Sequence, residues 1–140
     1  MTWVHYVLAA ALALGIGDIL VKLAAGKIPN SLGMLLYGSV PFAVGLVWFF
    51  TERARGPVVI RPVPLLYGLG VGLSYTLVTF ALYGAFRASA PLSIVSPVVR
   101  FGGLIVAAAA GLIMWREPLT PRYLIGFGMV IAGLALLLKR

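Results

Sequence analysis

The stretch "PLSIVSPVVRFGGLIVAAAAGLIMW", residues 91–115, holds one charged side chain in 25 residues. About 20 predominantly apolar residues cross the hydrocarbon layer of a bilayer as an α-helix, so this run reads as a transmembrane span. Its arginine, Arg100, lies about three residues before the centre. A guanidinium at that depth costs about 2.5–3.5 kcal/mol or more, and a chain that keeps one needs a partner for it, a task for it, or both.

The rest of the chain carries the same signature. Of 140 residues, 62% are hydrophobic and 10% charged, against about a quarter charged in a soluble domain. Mean hydropathy is +1.10. Five apolar segments stand out, at 4–25, 31–50, 65–86, 91–115 and 122–138, with Pro121 suited to open the last. The connections "GKIPN", "RARGPVVIRPVP", "RASAP" and "REPLTP" carry helix-breaking chemistry. The fold class expected is therefore all-α integral membrane, with five transmembrane helices in a single domain spanning 1–140. The first segment lacks a basic start, runs long, and contains Asp18 and Lys22, which argues against a cleavable signal.

The net charge of +8 does not indicate nucleic acid, because the basic residues lie scattered between apolar runs with no patch of interleaved aromatics. Cations at helix ends, facing lipid headgroups, account for them better. There is no cysteine, so thiolate chemistry is excluded. One histidine and three carboxylates make a poor metal or hydrolase set, so the expectation is no enzyme, no metal and no cofactor.

Aromatic placement supports five passes. Threading the chain five times puts Trp3, Tyr6, Trp48, Tyr67, Trp115 and Tyr123 on the N-terminal side, so that all three tryptophans form one interfacial belt. Four or six passes scatter them. With five passes the N-terminal side carries Arg53, Arg55, Arg61, Arg116 and Arg122. The other side carries Lys27, Arg87, Lys139 and Arg140, with Lys22 close by. Five cations against four or five give the positive-inside rule almost nothing to act on, and both orientations are expected.

Internal faces follow from helical spacing. Ala11, Gly15, Asp18, Lys22 and Ala25 share one stripe of the first helix. Gly68, Gly72, Tyr75, Thr79 and Tyr83 share one on the third, and Ser93, Ser96, Arg100, Gly103, Ala107 and Gly111 one on the fourth. For the small residues, including Gly126 and Gly133 on the fifth, close helix packing is the expected role. Ionisable residues inside a span more often mark a pathway. Asp18 lies three to four residues past the centre of its span, ~5 Å at 1.5 Å per residue. Arg100 lies about as far before the centre of a span running the other way, so the two sit at one depth. Tyr37 reaches a similar level, Tyr75 sits near the midplane, and Lys22 lies one turn further out. Pro97 adds polarity by freeing the carbonyl of Ser93 from its helical bond. An Asp18–Arg100 pair is expected, and one that only fixes packing is the structural alternative.

The segment "WREPLTPRYLIGFGMVIAGLALLL" resembles the end of an EamA repeat of the drug/metabolite transporter superfamily. There a carboxylate-bearing turn with a leucine–threonine step precedes a helix with two glycines seven apart. Glu117, Leu119, Thr120, Gly126 and Gly133 match that pattern, while Arg116 stands where glycine is usual. "PVVR" on the fourth helix and "SYTLVTFALYGAFRAS" on the third are similar to segments of single-repeat members. Glu117 is expected to cap the last helix and hold the turn.

The resemblance implies one half of an inverted-repeat transporter fold, completed by a second copy inserted upside down. It implies export of small polar metabolites by alternating access at a site of Arg100, Asp18, Tyr75, Tyr37, Lys22 and Ser96. It also implies residence in the plasma (inner) membrane of a prokaryote. Two alternatives stay open: proton-coupled efflux of cationic drugs, as in small multidrug resistance proteins with Asp18 as proton carrier, and a non-transporting subunit of a heterodimeric complex.

The charge balance is directly testable. Reporter fusions at the C-terminus should reveal both orientations, and three lysines appended after Arg140 should shift the ratio. A single orientation in the native chain rules out dual topology.

Overall fold

The computed structural model describes residues 2–57, 61–114, 116, 118 and 120–139, with no description of the Thr2 side chain. Trp115, Glu117, Leu119 and Arg140 lie outside the described residues, and with them the expected capping role of Glu117 and part of the aromatic and cation patterns. The elements in chain order are α1 (Thr2–Ala24), α2 (Asn30–Arg55), α3 (Pro62–Arg87), α4 (Leu92–Met114) and α5 (Pro121–Leu138). All five are long and apolar enough to cross a membrane, and no strand occurs among the described residues. The fold is that of an all-helical integral membrane protein.

Helix ends obey local chemistry. After α1, Gly26 takes φ +79, the left-handed conformation that glycine adopts without steric cost, and the Lys27 amide donates to the Ala24 carbonyl at 3.0 Å. α2 runs five residues beyond the apolar segment 31–50. "TERAR" is charged but contains good helix formers, and the helix stops only at Gly56–Pro57. α3 starts three residues before the expected 65, with Pro62 in its first turn. It ends at Arg87, and Ser89 beyond it turns the chain at φ 64. α4 continues through Pro97 without interruption. Before α5, the Thr120 hydroxyl accepts the Tyr123 amide at 3.2 Å, so Thr120 supplies an N-cap.

The chain forms two compact units. One comprises α1 through Asp18 with α4 and α5, where α4 packs on α5. The other comprises the end of α1 from Ile19 with α2 and α3, where α2 packs on α3. In the most apolar window of each span no more than 11% of residues are buried. Most apolar side chains therefore face outward, where a soluble chain would present polar groups and a membrane chain presents lipid-facing surface.

The core of the second unit lies on one face of α3, where Thr79, Leu82, Tyr83 and Phe86 are buried. The small-residue stripe of this helix holds at Thr79 and Tyr83, whereas Gly68, Gly72 and Tyr75 are exposed. The Thr79 hydroxyl donates to the Tyr75 carbonyl at 2.9 Å, which satisfies it inside the core. Tyr83 presses on Gly33 of α2, and a Cβ there would stand 2.5 Å from both Cζ and Oη of the ring. Gly33 is thus glycine because a ring occupies its side-chain volume. On α5, Gly126 and Gly133 are half-buried, but a Cβ on either would meet no atom within 4 Å. The close approach expected of them falls instead on Gly33.

Gly33→Ala should destabilise the chain by about 1–3 kcal/mol, as overpacking does. Tyr83→Phe should not rescue it, because Cζ remains in the way, whereas Tyr83→Leu should recover part of the loss. Thermal unfolding in detergent measures all three, and an unchanged midpoint for Gly33→Ala contradicts the contact.

Candidate functional site

Leu14 and Asp18 are four residues apart on α1, and so are Ser96 and Arg100 on α4. Each pair therefore shares one helix face. The two faces meet inside the first unit. Arg100 Nη2 donates to Asp18 Oδ1 at 2.6 Å. The Ser96 hydroxyl donates to Asp18 Oδ2. A longer contact, 3.5 Å, runs from Arg100 Nη2 to the Leu14 carbonyl. Each oxygen of the carboxylate thus has its own donor, both supplied by α4.

Burial of the two charges is unequal. Asp18 is 4% exposed as a residue and is the only buried acidic or basic side chain among the described residues. The Arg100 side chain is 32% exposed, against 5% for that of Asp18. Arginine carries five N–H donors in a planar fork. Beyond Nη2, the guanidinium has no partner among the described residues. The carboxylate is closed, and the guanidinium still has donors to offer.

The expected pair is therefore formed, by residues 82 apart in sequence. Ser96, expected to bind substrate, uses its hydroxyl to orient Asp18. The available signal was its position one turn before Arg100 on the same face. Pro97 lies between these two donors, inside the helix that presents them. Lys22 belongs to the second unit, where its ammonium stands 5.2 Å from the centroid of the Phe86 ring, a cation–π distance. Spacing along α1 could not reveal that contact, because Phe86 comes from another helix. Tyr37 and Tyr75 also belong to the second unit and are 41% and 54% exposed. No group of three or more metal-binding side chains occurs among the described residues.

The chain matches no protein-family model, no curated protein and no solved structure.

A double-mutant cycle measures the central pair. Removing one member of a buried pair strands the other and costs about 3–5 kcal/mol. Asp18→Asn and Arg100→Gln should each lower stability on that scale, and together they should cost clearly less than their sum. Additive losses would show that the two side chains act independently.

Proposed function

We propose that this chain is a membrane transporter or exporter of small polar metabolites and not an enzyme. It acts as an antiparallel homodimer whose two copies form the halves of an inverted-repeat, EamA-like fold. The observation that carries this reading is the Asp18–Arg100 pair, held by Ser96 inside apolar spans. Such a pair adds little net stability over apolar packing, and intramembrane charges characteristically serve transport paths. In inverted-repeat transporters substrate binds near the midplane, where the two halves meet. The near-equal cation count on the two sides supports insertion in both orientations. The resemblance gains support at Arg116, whose φ of 50 lies in the left-handed region that favours the glycine usual at that place. The expected location is the inner membrane of a prokaryote.

The chemistry of the pair favours anionic or zwitterionic substrates. Both Asp18 oxygens are engaged and enclosed, while Arg100 keeps unpaired N–H groups and partial exposure. A carboxylate or phosphate gains a charge-assisted bond there. A cation finds the carboxylate occupied. Alternating access follows from exchange of roles between the two protomers. The second reading, proton-coupled efflux of cations, rests on the same carboxylate and requires Asp18 to be released from α4 first.

Uptake into proteoliposomes separates the two. Labelled amino or organic acids should enter, and Arg100→Gln should abolish their entry. Transport restricted to a quaternary ammonium dye, lost in Asp18→Asn but indifferent to Arg100→Gln, would install the cation-efflux reading instead.

A further inference from the structure

The second unit contains an open cleft of about 580 Å³, formed where the α1–α2 turn meets the last residue of α3. Lys27 and Arg87 line it together with Asn30 and Ser31, and no acidic residue does. Neither cation has an ion-pair partner among the described residues, in which Arg100–Asp18 is the one salt bridge. Two uncompensated positive charges in one polar concavity create a potential that only an anion relieves.

One further feature agrees. α2 begins at this cleft without a side-chain cap, its N-cap position being Pro29. Early amides of the helix are therefore without side-chain acceptors, at the end where the helix dipole is positive. The ligand that fits is therefore an oxyanion. The cleft lies at the ends of three spans, α1, α2 and α3, which is the level of the lipid phosphates.

We infer that Lys27 and Arg87 form a binding site for a phosphate oxyanion, occupied by the headgroup of an anionic phospholipid such as phosphatidylglycerol. Arg87 takes two non-bridging oxygens through its fork, and Lys27 supplies a point charge. This site is independent of the transport reading and of the Asp18–Arg100 pair.

The test is equilibrium binding to the purified full chain in neutral detergent, using short-chain phosphatidylglycerol, short-chain phosphatidylcholine and inorganic phosphate as probes. Phosphatidylglycerol should bind saturably and more tightly than phosphatidylcholine, whose headgroup carries no net charge. Lys27→Gln and Arg87→Gln should each weaken it about fivefold, the effect of one basic residue on anionic lipid. Both side chains are exposed, so the fold tolerates the changes. Arg55→Gln, an exposed cation away from the cleft, should leave binding unchanged. Inorganic phosphate that binds and competes with the lipid supports the same oxyanion site, and phosphate that binds where the lipid does not assigns it to a soluble phosphate. Equal affinity in the Lys27→Gln/Arg87→Gln double variant, equal loss in Arg55→Gln, or no binding of either phosphatidylglycerol or phosphate overturns the site.

Discussion

A carboxylate cannot sit ionised among apolar helices without compensation, and the arrangement around Asp18 is what that constraint produces. Desolvation of a charge in a low-dielectric interior costs several kcal/mol, and Coulomb attraction offsets it only when geometry is good and remaining lone pairs are occupied. Here α4 meets both conditions, with Arg100 on one oxygen and Ser96 on the other. The first unit thus has a polar requirement that fixes which face of α4 turns toward α1. Lipid-exposed apolar surface imposes no such preference, since lipid tails are as apolar as leucine.

The second unit is organised on a different principle. Its closest contact is steric, with Tyr83 filling the space above Gly33, and Phe86 is buried three residues further along α3. In a membrane, close packing of small against large residues replaces the hydrophobic drive that holds soluble helices together. The same unit adds one electrostatic contact, the Lys22 cation over the Phe86 ring.

Much of this was legible in the residues. The apolar run lengths located all five helices, and breaker residues placed their ends to within a few positions. The exception is α2, whose charged tail Thr51–Arg55 stays helical beyond the hydrophobic segment because nothing breaks it before Gly56. Depth along the spans paired Asp18 with Arg100, since two opposite charges at one level of a bilayer have few other ways to be satisfied. Ser96 was visible on the right face, but spacing shows where a hydroxyl lies and not that it donates to Asp18. The Gly33–Tyr83 and Lys22–Phe86 contacts had no one-dimensional signal at all. Both depend on how separate helices align, which spacing along a single helix does not contain.

The sequence separation within the polar cluster also bears on how the chain is made. Asp18 is synthesised before Arg100, which follows 82 residues later. At about 5–20 residues per second, α1 spends about 4–16 s in existence before its counter-ion emerges. During that interval a helix carrying an unpaired aspartate bears a penalty of about 2.5–3.5 kcal/mol for residence in the hydrocarbon. α1 therefore has reason to stay at the insertion machinery, or at the membrane surface, until α4 arrives to claim it. A nascent chain arrested after α3 holds an aspartate whose partner on α4 has not yet been made.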